Sequence, residues 1–398
     1  MNISKIQFLT MLALLSVLSC AKESRLYNST PDYGISTEIT RLPVSSKTAV
    51  TEKIAGKIPD RINFSEKLNP DAESELNKHL IYILSKGNYK GLSAAVSVKG
   101  KGLWKASAGN SGTDSPLSPS TAFHAFSVGK IITSALMLKI CEERNISTGI
   151  SIQKWFPEFP NAAEITLLSL LNHTSGIQTY EVLYEFIKSR EDPTPGMIVE
   201  MSANYGLRSK PGNFLSYSNT GYIMIGMIIE SELGISLDEA VENYFIIPLG
   251  LKNTLAVTPE SSHMKDIAGF SANSMVQNFK WPLTYGAGPI LTNPEDALRI
   301  FDYILSGDFI STKSINKMFE EMNHWKTEPD VYYGKGIYMI KNLPGGDYIG
   351  HSGGSSGFRT CLFYNTGTHI MVSVMTNCEN PVEPAMFSLS EKAAGLFK

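Results

Sequence analysis

Ser127 and Lys130 stand three residues apart in Phe123-His124-Ala125-Phe126-Ser127-Val128-Gly129-Lys130, just before an apolar stretch over 131–141 that contains no proline. Side chains at that spacing on a helix lie on one face, one turn along. A hydroxyl and an amine become neighbours, and burial would weaken the amine's preference for its charged form so that it could take the hydroxyl proton. The helix N-terminus would favour the anion that develops there. This is the chemistry of an activated serine nucleophile. The plain structural alternative is a serine capping a helix and a lysine on its surface. Spacing alone does not separate the two, since Ser-x-x-Lys recurs at Ser19, Ser151, Ser262 and Ser314.

Two further stretches carry polar side chains in unusual settings. Tyr217-Ser218-Asn219 lies in a loop that begins at Pro211-Gly212 and runs into an apolar helix over 223–229. His351-Ser352-Gly353-Gly354 ends a predicted strand. Tyr-x-Asn and His-x-Gly each occur once in the chain. Taken singly, Tyr217 reads as a helix-entry aromatic, Asn219 as an N-cap and His351 as a strand-end side chain bonded to backbone.

The elements that must position these groups follow from periodicity. Leu76, Leu80, Ile83 and Leu84 recur at helical spacing over 73–86. Residues 91–98 and 103–108, separated by Lys99-Gly100-Lys101-Gly102, predict a β-hairpin. From 151 to about 251 the pattern is helical, broken by Pro157, Pro160, Pro193, Pro195 and Pro211. Helices over 294–305 and 314–322, strands over 336–340 and 348–351, a hairpin over 357–376 turning at Asn365-Thr366-Gly367, and a helix over 383–397 complete the chain. We therefore expect an α+β body, a mixed antiparallel sheet flanked by helices, built from 71–150 and 286–398, with a mainly helical domain inserted over 151–285.

The order Ser-x-x-Lys, Tyr-x-Asn, His-x-Gly resembles the serine β-lactamase-related family, which includes class C β-lactamases, DD-peptidases (penicillin-binding proteins) and the family VIII esterases. The likeness extends over about 91–377 and includes 165–177, Pro248-Leu249-Gly250-Leu251 and Gly286-Ala287-Gly288. The resemblance implies a β-lactamase/transpeptidase-like fold with the site between its two parts, and an acyl-enzyme mechanism without metal or organic cofactor. It gives Ser127 as nucleophile, Lys130 and Tyr217 as its proton-transfer partners, and Asn219 as a hydrogen-bond partner of the substrate amide. The N–H groups of Ser127 and Gly354 would form the oxyanion hole, with Ser352 and Gly353 alongside. His351 stands where class C β-lactamases have lysine, a form similar to DD-peptidases. Gln178 would edge the cleft. Arg359 could hold a substrate carboxylate, against the alternative of a solvated strand arginine. His173 and His124 read as structural, and Pro289 as a stiffener of one cleft wall. The substrates implied are small molecules or peptidoglycan peptides. A sensor acylated without turnover, or an inactive relative kept for binding, is the rival from another class.

The N-terminus adds location. Lys5 precedes an apolar run over 8–18 that is too short to span a bilayer and ends at Ser19-Cys20. It resembles a bacterial lipoprotein signal over 1–19 with Cys20 as the lipidated residue; an ordinary cleaved signal is the alternative. Residues 20–70, rich in Ser, Thr, Asn, Pro and charge, read as a tether. The expected protein is a monomer on the periplasmic face of the cell envelope, held in the outer membrane. Cys141, Cys361 and Cys378 show no CxxC spacing and predict core thiols, with Cys361 facing about Val372. A net charge of −3 and a pI near 6.2 exclude the basic field that a nucleic-acid partner requires.

Overall fold

The computed structural model of the protein describes residues 62–183, 193–258, 267–271, 274–276, 284–325, 330–355 and 357–398. The signal segment, Cys20 and most of the expected tether lie outside them. Residues 62–70, expected to be tether, are part of the body: Ile62 and Leu68 are buried, and Leu68 N–H donates to Leu103 O while Leu103 N–H donates to Glu66 O.

Helix α1, Pro70–Lys86, starts where Asn69 accepts from Ala72 N–H and proline takes the first turn. Its buried Leu76, Leu80 and Ile83 are those at helical spacing. The hairpin β1 (Gly91–Val98) and β2 (Gly102–Gly109) follows. Next come the short β3 (Phe123–His124), a 3₁₀ turn Phe126–Gly129, and α2, Lys130–Glu143. The middle of the chain supplies α3 (Leu167–Leu171), α4 (Pro195–Tyr205), α5 (Asn219–Leu233) and α6 (Leu237–Leu249), then β4 (Leu255–Ala256), β5 (Gly269–Ser271), β6 (Ser274–Val276) and β7 (Ile290–Thr292). Next come α7 (Pro294–Leu305), α8 (Thr312–Met318), β8 (Asn323–His324), β9 (Val331–Tyr333), β10 (Tyr338–Ile340), β11 (Tyr348–Ser355), β12 (Phe358–Asn365), β13 (Ile370–Thr376) and α9 (Glu383–Leu396).

Strands from both ends of the chain make one eight-stranded sheet, in the order β2-β1-β13-β12-β11-β10-β9-β8. Every pair in it is antiparallel. A three-stranded sheet, β3-β7-β4, ties the residues before Ser127 to the later segments. The hairpin loop after β12 is longer than expected, so Cys361 pairs with Val374 and not Val372; the three described cysteines are free and buried.

Alternation along β1 splits the core. Leu92, Ala94, Val96 and Val98 face the cluster shared with α1 and α9, whereas Ala95 faces the cluster shared with α2, α5 and α7. Both faces are covered, which is why β1, β12 and β13 are buried along their whole length. Helix α2 lies inside the larger cluster and is buried on almost every side. Leu136 there is fully buried, so Leu136→Ala should cost about 2–5 kcal/mol.

Candidate active site

Ser127 sits in the 3₁₀ turn ahead of α2 and caps neither helix. The turn is strained: Phe126 has φ +47°, a value that costs a bulky side chain about 1–3 kcal/mol. Its neighbours hold it there. Phe126 N–H donates to His124 Nδ1 at 3.0 Å, the two rings stack at 4.4 Å, and Phe126 packs against Phe358. That bond needs a neutral imidazole, and burial pushes His124 down to about 3. A Cβ on Gly129 would lie 2.5 Å from Pro289 Cδ. Pro289 thus braces the turn from behind.

Lys130, the first residue of α2, is fully buried. Its Nζ donates to Ser127 Oγ at 3.1 Å, Asn219 Oδ1 at 2.6 Å and Ala287 O at 3.1 Å. It lies 5.0 Å from the Tyr217 ring centroid and 5.3 Å from that of Tyr222. The hydroxyl and the amine therefore meet, and Ser-x-x-Lys, Tyr-x-Asn and the Gly286-Ala287-Gly288 loop converge on one ammonium.

Asn219 opens α5, but its cap is Ser218, whose Oγ accepts from Gly221 N–H. Freed from capping, the Asn219 amide bridges Lys130 and a group that the sequence did not reveal, the Glu181 carboxylate, through an Nδ2–H donated to Oε1. Burial raises the Glu181 carboxyl; hydrogen bonds from Thr179 and Asn219 and the Lys130 charge oppose that. Gln178, expected at the cleft edge, is only 8% exposed, and its carbonyl accepts from Ser202 Oγ. Three residues on, Glu181 is the polar group that this loop contributes.

Tyr217 is held by His173. That residue takes φ +59°, its carbonyl accepts from Ser216 N–H and its Nδ1 accepts from Ser218 N–H at 3.2 Å. Its ring lies 4.1 Å from the Tyr217 ring. Burial, with Lys130 and His351 nearby, keeps His173 well below the usual histidine range.

Along β11, Gly353 lies against the Ser127 turn so closely that a Cβ would fall 2.8 Å from Ser127 N. The first bond of that turn is Val128 N–H to Ala125 O, so the Ser127 N–H has no acceptor within the turn. Gly353 and Gly354 pair with Thr360 and Arg359 in register, and Ser352 pairs with Cys361.

His351 is turned inward, 1% exposed. Its Nδ1–H donates to Ser352 O at 2.5 Å and its Nε2 accepts from Tyr333 O–H at 3.1 Å. Burial and the Lys130 charge push it down to about 3. It backs the Tyr217 ring at 6.4 Å and has both nitrogens committed, so it is a support and not a substrate contact. Arg359 departs from the solvated reading. It is 6% exposed, and its Nη1 donates to Ser355 O and Phe358 O, so it ties the β11–β12 turn. The fully buried β12 explains the difference.

Comparisons with known proteins bear on the family and the fold. A family model described as Beta-lactamase matches residues 71–392. A penicillin-binding protein of Bacillus subtilis (strain 168) is 26% identical over 292 residues, covering 67% of this chain and 63% of that protein. The chain thus spans less than two thirds of that relative. In structure it matches D-amino acid amidase from Ochrobactrum anthropi SV3 with a TM-score of 0.73 at 21% identity, over 82% of this chain and 100% of that one. A class C beta-lactamase matches with a TM-score of 0.67 at 17% identity, over 82% and 98%. The shared architecture is the β-lactamase/transpeptidase-like fold.

Proposed function

The chain belongs to the Beta-lactamase family, and on that footing we propose that it is a serine hydrolase that opens an amide or ester carbonyl through an acyl-enzyme on Ser127. The observation that carries the reading is the buried Lys130 ammonium, bonded at once to Ser127 Oγ and Asn219 Oδ1 beside the Tyr217 ring. Ser127 Oγ adds to the carbonyl carbon and gives its proton to Tyr217 in its phenolate form, whose charge the neighbouring Lys130 ammonium balances. The oxyanion is met by the N–H groups of Ser127 and Gly354, fixed donors aimed where charge develops. Collapse expels the leaving amine or alcohol with the returned proton, and water repeats the sequence on the acyl-enzyme. Asn219 orients the substrate amide.

DD-peptidase, penicillin-binding and esterase substrates share this chemistry, as do the small amides named for the Ochrobactrum enzyme. The test is intact-mass analysis of the full chain and of Ser127→Ala after exposure to a fluorescent penicillin and, separately, a p-nitrophenyl ester, with product release followed in parallel. Adducts or turnover confined to wild type support the reading. A stable adduct without release would favour an acylated sensor, and absence of any Ser127-dependent reaction would overturn catalysis.

We further propose that the protein acts as a monomer at the periplasmic face of the cell envelope, held in the outer membrane by lipid on Cys20. The signal over 1–19 supports this. Among the described residues no single helix is long and apolar enough to cross a membrane. Cys20→Ser should release the protein from the membrane fraction; retention there would sink the proposal.

A further inference from the structure

Strand β11 is held unevenly where it passes the nucleophile. On one side it pairs with β12 along its whole length, from Tyr348 opposite Asn365 to Ser355 opposite Phe358. On the other, its ladder with β10 takes in only Tyr348, Ile349 and Gly350. His351 is the first residue past that ladder. Among the described residues no strand continues beside Ser352, Gly353 and Gly354 on this side, and Gly353 lies against the Ser127 turn instead. On this edge a side chain takes over from the ladder.

That side chain is the His351 imidazole, whose Nδ1 meets Ser352 O at 2.5 Å. A carbonyl oxygen only accepts, so the ring proton is on Nδ1. Burial and the Lys130 charge keep the ring neutral, and a neutral imidazole carries a single N–H. Nε2 is then a buried lone pair that needs a donor, and Tyr333 O–H supplies it at 3.1 Å. Burial keeps the Tyr333 phenol far from ionising, so it remains a donor. Tyr333 stands in β9 opposite Tyr338 of β10, which in turn stands opposite Gly350. Its hydroxyl therefore reaches past β10 to β11. The Tyr338 ring lies 4.7 Å from the Tyr333 ring and 4.6 Å from the imidazole, and packs both in place.

The two bonds depend on each other. The partner of one ring nitrogen sets the tautomer and the orientation that the other can use. With the Tyr333 hydroxyl removed, the ring has one anchor and can turn about its own bond, and the Ser352 carbonyl is released with it. We propose that Tyr333 is a positioning residue: its hydroxyl locks the His351 imidazole with Nδ1–H on Ser352 O, and this clamp sets the course of β11 through Gly353 and Gly354 beside Ser127. The inference rests on the serine-hydrolase reading above, in which Gly354 N–H meets the oxyanion, and adds the group that aims that donor. Donors aimed at developing charge act in the transition state, so the loss falls on kcat and not on KM.

The experiment measures p-nitrophenyl ester hydrolysis by the full chain as wild type, Tyr333→Phe, His351→Asn and the double variant, with urea unfolding alongside. Tyr333→Phe keeps the ring, and kcat should fall by about tenfold to a hundredfold with KM within about threefold of wild type. Asparagine at 351 can still donate to Ser352 O but cannot reach Tyr333, so adding Tyr333→Phe to His351→Asn should cost no more than about threefold. Long-range proton–nitrogen NMR of ring-labelled histidine, with His351→Asn identifying the signal, should show wild-type His351 protonated on Nδ1 and bare on Nε2; this readout needs no folded Tyr333 variant. A proton on Nε2 in wild type would overturn the proposal, as would kcat within about threefold of wild type in folded Tyr333→Phe, or the same loss with and without the imidazole. Each of these leaves the hydrolase reading intact. Hydrolysis that persists in Ser127→Ala, or none in wild type, would remove that reading and this inference with it.

Discussion

Gly353→Ala tests how closely β11 must approach the nucleophile. A Cβ at Gly353 would sit 2.7 Å from Ala125 O, 2.8 Å from Ser127 N and 3.0 Å from Thr360 Oγ1. Two of these are backbone atoms of the strained turn, and Ala125 O is further fixed by accepting from Val128 N–H and Thr360 Oγ1. Ordinary contact begins at 3.4 Å, so turn and strand must part by about 0.6–0.7 Å to admit the methyl. A misplacement of about 1 Å can cost about a hundredfold in rate, and overpacking costs about 1–3 kcal/mol of stability. We therefore expect acylation by a p-nitrophenyl ester to slow by about tenfold to a hundredfold in a protein that still folds. The assay is stopped-flow acylation beside urea unfolding. Gly395→Ala is the control: no atom lies within 4 Å of the added Cβ, and α9 should gain up to about 1 kcal/mol with no change in acylation. A folded Gly353→Ala protein that acylates within about threefold of wild type would refute the close-approach argument.

Lys130→Met keeps the volume but removes the donor shared by Ser127, Asn219 and Ala287; acylation should fall by about 10²–10⁴-fold, read by intact mass over time. Arg359→Lys keeps the charge but cannot reproduce the paired bonds to Ser355 O and Phe358 O. It should lower stability by about 1–2 kcal/mol without selectively raising KM for substrates that carry a carboxylate, and a selective rise would support the substrate-binding role. His124 and His351 are held down to about 3, and His173 well below the usual range, mainly by burial. Below about pH 6.5 the unfolded chain takes up their protons and the folded chain does not, so stability is full above that pH and falls as pH drops towards 3. Three such groups together give a slope approaching about 4 kcal/mol per pH unit, and equal urea midpoints at pH 7 and pH 5 would contradict it.

The sequence made Ser127, Lys130, Tyr217 and Asn219 legible because each sits at the mouth of an apolar run, where periodicity marks a helix start. It could not show how the mouths face one another; that depends on α2 and α5 packing within one core cluster. Glu181 left no signal. An acid in a loop reads as solvated, and only the rotation that hands the capping role to Ser218 frees the Asn219 amide to reach it. Arg359 misled because alternation assigns one strand face to solvent, whereas β12 lies at the centre of a sheet covered on both sides. The register of Cys361 slipped by two residues because the hairpin loop is longer than its Asn-Thr-Gly signal suggests. In the middle of the chain, β4 and β7 are two and three residues long, too short for a two-residue period to register.

The leading segment over 62–68 also bears on how this protein survives outside its fold partners. A sheet of eight strands has two edges, and an open edge is a template for joining other chains. At one end β8 offers two residues. At the other, β2 is eight residues long, and the backbone of Glu66 and Leu68 covers part of it through the bonds to Leu103. Ile62 N–H anchors that cover on the Asp302 carboxylate. A fragment begun at α1 would keep every side chain of the site yet lay β2 bare, and it should aggregate during refolding where a fragment begun at Ile62 stays dispersed.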